Sequence, residues 1–258
     1  MKKLSVVLAV YNEEESIGRC LESVKDLVDE IVVVDGTSND RTVEIARRFG
    51  ARVKITTNKP NFHINKQMAI DMAEGSWILQ MDADEVVSPR LASEIKSKIQ
   101  NPKSEINGYW MPRKNYFLGR FLMKGGQYPD YTLRLYKKGK GRLPQKDVHE
   151  QAVVEGKVSY LENALLHYPY KSFSFYLLKW NRYNDLLAGQ IREELGNKNK
   201  IERIAYAIAY LFIKPSHWLL TTYLRHKGFM DSWQGFVFSF FSALRFPVSF
   251  IVYLTSKS

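Results

Sequence analysis

Four apolar, β-branched runs alternate with helix-patterned segments in the first hundred residues, and this alternation restricts the fold more than any other feature of the chain. LSVVLAV (4–10), EIVVVDG (30–36), RVKITT (52–57) and SWILQMDAD (76–84) read as strands. EEESIGRCLESVKDL (13–27) places Ile17, Leu21, Val24 and Leu27 at helical spacing, while DRTVEIARRFG (40–50) and NKQMAIDMAEG (65–75) read as helices ending on glycine. SPRLASEIKSKI (88–99) opens with Ser88 as N-cap and Pro89 at the first helical position. Strands that are apolar on both faces must be covered on both faces. The pattern therefore predicts an α/β fold with a mainly parallel, doubly covered sheet.

The rhythm changes after residue 105. EINGYWMPRKNYF, YTLRLYKK and EQAVVEGKVSYLENALLH read as further strands, mixed or antiparallel, beside the parallel core. From about 171 the chain turns helical, with Phe173, Tyr176, Leu177, Trp180, Tyr183, Leu187, Ile191 and Leu195 in one stripe. GNKNK (196–200) separates this helix from IERIAYAIAYLFIK, which Pro215 is expected to end. The expected organisation is an α/β half over 1–104, a continuation of the same domain over 105–170, and a helical extension over 171–258.

Charge divides the chain in the same way. Residues 108–258 carry 23 Lys and Arg against 10 Asp and Glu, a net +13, whereas residues 1–107 carry a net −2. Of 34 aromatic residues, 21 fall in 168–258, so the basic half is also the aromatic half. Cationic, aromatic and aliphatic residues together point to a membrane surface or an anionic amphiphile, with nucleic acid a third possibility because a high pI alone does not choose among anions; no nucleic-acid partner is expected once the acidic rim is considered. The apolar stretch 236–254 contains Arg245 and Pro247. Two short interfacial or packed segments are expected there in preference to one span. The single Cys20 excludes an intramolecular disulfide and a Cys-rich zinc site. The opening apolar run is short and is followed by acids, so it reads as a buried strand and the protein as cytoplasmic.

Parallel α/β sheets bind ligands at the carboxyl ends of their strands. Tyr11-Asn12-Glu13 follows the first strand, Asp35 ends the second, and Asp82 and Asp84 end the fourth. No GxGxxG and no P-loop is present. Acidic strand ends on one rim suit a hydroxyl-bearing ligand and a hard cation, Mg²⁺ or Mn²⁺. As residues i and i+2 of one strand, Asp82 and Asp84 are expected to face the same way and share a ligand. Asp40 reads instead as a helix cap.

LSVVLAVYNEEESI, VVVDGTSNDRT and KQMAIDMAEGSWILQMDADE, in this order, resemble the donor-binding half of family 2 glycosyltransferases, which have the GT-A fold. The resemblance implies a nucleotide-sugar donor, taken as a UDP-sugar. Tyr11, Asn12, Glu13 and Asp35 would hold the nucleoside, Lys66 a phosphate, and Asp82 and Asp84 the ribose and cation. Where the family commonly has Asp-Asp-Gly-Ser, this chain has Asp35-Gly36-Thr37-Ser38, leaving the nucleoside contact to one acid.

PDYTLRLYKKGKGR (129–142), VHE (148–150), LLHYP (165–169) and RHKGFMD (225–231) resemble a narrower branch, bacterial enzymes that glucosylate the lipopolysaccharide inner core. This implies a lipid-linked or lipopolysaccharide acceptor and leaves oligomerisation open; the +13 charge, the aromatic enrichment and the stretch 236–254 lead to the expectation that about 171–258 dock peripherally on the cytoplasmic face of the inner membrane. Inverting transfer needs a carboxylate base. Glu150 is assigned that role, with Asp130 as runner-up. His149 and His167 stand outside the core site. A haloacid-dehalogenase-like phosphatase is an alternative on Asp82-Ala83-Asp84-Glu85-Val86, although its signature belongs on a first strand. A non-catalytic basic binding protein explains the +13 half but not the acidic rim.

Overall fold

A computed structural model describes residues 2–59, 61–101, 105–144 and 151–256. Contacts divide the chain into two compact units, Met1–Lys114 with Asp130–His167, and Asn115–Pro129 with Tyr168–Ser258.

The first unit is built on parallel strands β1 (Leu4–Val10), β2 (Glu30–Asp35), β3 (Arg52–Ile55) and β4 (Trp77–Gln80). Helices α1 (Ile17–Glu22), α2 (Thr42–Arg48), α3 (His63–Met72) and α4 (Pro89–Ile99) connect or follow them. Ser88 caps α4 by accepting the Leu91 N–H, with Pro89 in the first turn. Short strand β5 (Glu85–Val87) precedes α4. The later strands are β6 (Ile106–Phe117), β7 (Arg120–Leu122), β8 (Asp130–Lys137), β9 (Gly141–Arg142), β10 (Val153–Val154), β11 (Lys157–Tyr160) and β12 (Leu165–His167). The main sheet has the order β3-β2-β1-β4-β8-β6-β12-β5, with β7 and β11 also on β6, while β9 and β10 form a separate ladder. β8 is antiparallel to both β4 and β6.

Period-2 alternation explains the continuous apolar runs. Leu4, Val6, Leu8 and Val10 of β1 pack with Ile17, Leu21, Leu91 and Ile95 on one face. Val7 packs with Val32, Val34, Ala69 and Ile70 on the other. Both faces are core, so no position in β1 is left for a polar solvent face.

The sequence and structure differ at the end of β4. That strand stops at Gln80, and Asp82 and Asp84 lie in the connection to β5. The strand argument for a shared face therefore does not apply to them. Helix α1 is also shorter than its periodicity suggests, ending at Glu22, with turns carrying Val24 and Leu27 into the core.

The second unit is helical apart from β7 and the end of β6. It contains α5 (Phe173–Leu195), α6 (Lys200–Ile208), a π segment (Ala209–Ile213), α7 (Lys214–Leu219), a second π segment (Leu220–Arg225), a 3₁₀ turn (Gly228–Asp231) and α8 (Ser232–Thr255). Asn199 and Glu202 form a reciprocal capping box at the start of α6. Pro215 does not end this helix. It sits in the first turn of α7, directly after the wide π segment, where the usual clash with the preceding turn is relieved. Pro247 likewise lies inside a continuous α8, rather than between two short segments. Buried Ala243 on one side and Ser249 and Phe250 on the other keep that helix packed through the proline. The Trp180 indole N–H donates to the Phe241 carbonyl at 2.9 Å, and the Ser249 hydroxyl reaches Asn184 at 3.2 Å, tying α5 to α8.

Candidate active site

In the order β3-β2-β1-β4, the chain winds outward from β1 in one direction and then continues on its other side. The crevice between the carboxyl ends of β1 and β4 is the topological switch point, where open α/β sheets take ligands. Tyr11-Asn12-Glu13 and Met81–Asp84 lead away from those two strand ends.

The loops after β1 and β2 are fastened together. The Asn12 N–H donates to the Ser38 hydroxyl oxygen at 2.9 Å, and the Asn39 N–H donates to Asn12 Oδ1 at 2.8 Å. The Ser38 hydroxyl in turn donates to buried Asp35, which also accepts the Ser38 N–H at 2.9 Å. Glu13 accepts the Ser16 hydroxyl, and its own N–H donates to Thr42. Asp40 accepts the N–H groups of Thr42 and Glu14, bracing the start of α2 as its reading as a cap suggests. Asn12 (φ 55°) and Thr37 (φ 70°) occupy left-handed backbone, which is costly for a β-branched residue such as Thr37. Tyr11 stands exposed at the rim.

Asp82 is the centre of an ion-pair network. Its carboxylate pairs with the Lys66 ammonium and with Arg134 at 2.6 Å. Arg134 also reaches Glu85 at 2.9 Å, Glu85 meets Arg113 at 3.4 Å, and Arg113 holds Asp130 at 2.7 Å. The sheet explains these meetings. Leu135 of β8 pairs with Leu79 of β4, so Arg134 follows beside the chain leaving β4. Arg113 and Asp130 are direct cross-strand partners on β6 and β8. Burial opposes the charge on Asp82, but Arg134 and Lys66 outweigh it and hold the carboxyl well below the usual carboxylate range. Burial also opposes charge on Arg134, yet Asp82 and Glu85 raise its pKa. Its Nε is buried without a hydrogen-bond partner among the described residues.

Asp84 has a different neighbour. His167 lies opposite Glu85 in the β5–β12 pair, and its Nε2 is 3.4 Å from Asp84 Oδ2. Among the described residues, no group of three or more His, Cys, Asp or Glu side chains is arranged to hold a metal. One carboxylate beside one imidazole fits a cation whose remaining ligands are water and substrate oxygens rather than an all-protein cage. Cys20 packs below, its thiol directed to the Asp82 carbonyl at 3.5 Å. Burial and the nearby Glu85 push that thiol well above its usual range, so it is not an activated nucleophile.

The structure therefore brings together Lys66 and Asp82, sets Asp84 two residues on, and places Asn12 and Asp35 in loop contacts. Asp130 is paired to Arg113. Glu150 and His149 lie outside the described residues. Arg134, Arg113 and Glu85 were missed by sequence reasoning. One signal was present: arginine flanked by Leu133 and Leu135 within a strand is a charge placed where only a partner justifies it.

The family model for glycosyl transferase family 2 matches residues 5–152. The chain is 28% identical over 256 residues to lipopolysaccharide core biosynthesis glycosyltransferase LpsC of Rhizobium meliloti, covering 94% of this chain and 91% of that protein. An uncharacterized glycosyltransferase of Rickettsia typhi is 28% identical over 257 residues, covering 95% and 86% respectively. Among solved structures, S. aureus TarS 1-349 in complex with UDP aligns with a TM-score of 0.46 at 18% identity, over 89% of this chain and 75% of that one.

Proposed function

The chain belongs to glycosyl transferase family 2, and from that premise we propose that it moves a sugar from a UDP-sugar, with inversion, to a hydroxyl of a glycolipid or lipopolysaccharide-core acceptor. The observation that carries the reading is Asp82 held between Lys66 and Arg134 at the switch point. Two cations gathered at the switch point suit the donor diphosphate. Asp84 is the assigned anchor for Mg²⁺ or Mn²⁺, with His167 beside it, while Asp82, assigned with it on the sequence, has its two carboxylate oxygens paired with Lys66 and Arg134. When bound, such a cation supplies Lewis-acid stabilisation of the diphosphate. Asp35, Asn12 and Glu13 shape the nucleoside loops through their internal hydrogen bonds, and exposed Tyr11 offers its ring.

In the reaction the base takes the acceptor hydroxyl proton while that oxygen bonds to the anomeric carbon. The bond from that carbon to the diphosphate oxygen breaks, and its electron pair leaves with the diphosphate. Lys66 and Arg134 balance the charge that develops there. Glu150 is assigned as base. The Arg113 pairing of Asp130 favours a positioning role for the runner-up, because its carboxylate is already engaged by a guanidinium across the β6–β8 pair.

A cytoplasmic, peripheral membrane location is supported by the second unit. Ile201, Ile204, Ile208 and Phe212 form an exposed stripe at steps of three and four along α6 and its π extension, and α6 buries no residue. Lys198, Lys200 and Arg203 flank its start. Such a helix suits the plane of an anionic interface. The segment Gly228–Thr255 is long and apolar enough to cross a membrane by length and composition. It packs on α5 and α7 along one face and carries Arg245 at its centre, while Phe236, Phe240, Ile251 and Leu254 stay exposed, which suits an interfacial position.

The test is steady-state transfer and donor binding by Glu150→Gln and Asp130→Asn. Glu150→Gln is expected to keep donor affinity and lose on the order of 10²–10⁴-fold in turnover. Full turnover in Glu150→Gln contradicts the assignment.

A further inference from the structure

The second unit contains a cavity of about 310 Å³ that the reaction described above does not use. Trp218 and Phe238 form its apolar wall, Thr221, His226, Ser242 and Arg245 supply polar groups, and among the described residues no Asp or Glu lines it. The Arg245 guanidinium lies 5.0 Å from the ring centroids of both Trp218 and Phe246. Its Nε is buried without a hydrogen-bond partner.

A partly buried guanidinium with no counter-charge among the described residues is costly, and chains tolerate the cost where an anion arrives. The buried acid of this unit does not serve Arg245. Asp231 accepts the N–H groups of Met123 and Lys124 at 2.8 and 2.7 Å, with Arg120 3.6 Å away. Ser242 stands three residues before Arg245 on α8, so both side chains share one helix face. The second π segment carries Thr221 to the cavity, and His226 follows directly after it. Interruptions of this kind concentrate at functional sites.

We propose that this cavity is an oxyanion site that takes a phosphate- or carboxylate-bearing group attached to a single sugar ring or a lipid headgroup. The guanidinium fork matches either oxyanion, and the Ser242 hydroxyl adds a donor. Trp218 and Phe238 cover the apolar part of the ligand. The volume is near the lower end for small-molecule sites, roughly 300–1,000 Å³, so it holds one such unit rather than a whole glycolipid. Placing that unit on the acceptor rests on the transfer reading above; the oxyanion site itself does not.

The test uses the full chain with UDP and Mn²⁺ saturating, so that the donor site does not compete for phosphate. Glucose 6-phosphate and glucuronate are titrated by calorimetry and tryptophan fluorescence. Phosphatidylglycerol and phosphatidylcholine vesicles are compared by sedimentation. Loss of a charged hydrogen-bonding partner is expected to weaken binding by about tenfold or more in Arg245→Gln, with partial recovery in Arg245→Lys. Ser242→Phe, which fills the cavity and keeps the arginine, gives the same loss if Arg245→Gln does not fold. Binding of the soluble sugars assigns the group to a sugar. Arg245-dependent binding to phosphatidylglycerol vesicles alone assigns it to a lipid. Equal binding by wild type and both variants, or no binding to either class of probe, overturns the site.

Discussion

Replacing Arg134 with methionine removes the guanidinium from the centre of the candidate site while keeping most of its apolar volume. The side chain is 8% exposed and contacts Asp82 at 2.6 Å and fully buried Glu85 at 2.9 Å. Breaking a buried ion pair from one side typically costs about 3–5 kcal/mol. The remaining partners soften the loss, since Asp82 keeps Lys66 and Glu85 keeps Arg113 at 3.4 Å. A cost of about 3 kcal/mol is therefore expected, a large share of the roughly 5–15 kcal/mol typical of a folded domain. For a chain of this size that corresponds to a drop in Tm of roughly 6–12 °C. Adding Glu85→Gln should return part of the loss, because the double variant no longer buries the charge that Arg134 balanced. The pH dependence has a definite sign. Asp82 has a depressed folded pKa, so its contribution is full above the ordinary carboxylate range and is lost as pH falls through the folded value. The gap between wild type and Arg134→Met should thus narrow on acidification. Urea unfolding followed by circular dichroism at pH 7 and at lower pH measures both effects. A loss below about 1 kcal/mol at pH 7, or a gap that does not narrow, refutes the argument that this pair is a tightly coupled part of the fold.

Other outcomes follow from residues away from that network. Burial opposes ionisation of Glu30, but the Ser5 hydroxyl, the Glu74 N–H and Lys2 hold its carboxyl at about 2. Against an ordinary 4.5, this corresponds to about 3 kcal/mol, present above pH 4.5 and lost as pH falls toward 2. Glu30→Gln should lower Tm at pH 7 and flatten the acid limb between those values; parallel stability curves for the two proteins contradict this. Two glycine substitutions should act in opposite directions in thermal melts. A Cβ at Gly235 would lie 2.0 Å from the Gly228 carbonyl oxygen, so Gly235→Ala must displace backbone and is expected to cost more than about 2 kcal/mol. At Gly189, inside α5, a Cβ meets nothing within 4 Å, and Gly189→Ala should stabilise by about 0.5–1 kcal/mol. Ile204→Asp with Ile208→Asp should weaken sedimentation with anionic vesicles without changing UDP affinity; undiminished sedimentation removes α6 as the docking helix.

The sequence made the parallel half legible because β1, β2 and β4 are buried on both faces. Val6, Val7 and Leu8 could not all be core in a one-sided sheet. The α4 start was legible from Ser88 and Pro89 for a local reason, since a cap depends only on its own turn. The polar network was not. Arg134 meets Asp82 only because β8 inserts antiparallel beside β4, a pairing between segments about fifty residues apart that no local pattern encodes. The end of β4 was misjudged because Met81 and Ala83 continue the alternation after the strand has stopped, and both are buried in the connection. Pro215 and Pro247 were read as breaks on backbone chemistry alone. A preceding π turn in one case and packing on both sides in the other carry the helices through. Asn12 and Asp35 were found at the rim as ligand-binding candidates, but their loop-bracing hydrogen bonds depend on where Ser38 and Asn39 fold.

The proposed donor site is the rim between β1 and β4, where a nucleoside diphosphate would bind with a divalent cation anchored at Asp84. Calorimetric titration of UDP into the full chain, with Mn²⁺ or with chelator, and into Asp84→Ala, tests it most directly. The account predicts saturable UDP binding by wild type with Mn²⁺ that is lost in chelator and in Asp84→Ala, while the variant keeps the wild-type circular dichroism spectrum. UDP binding of equal affinity in all three cases contradicts it.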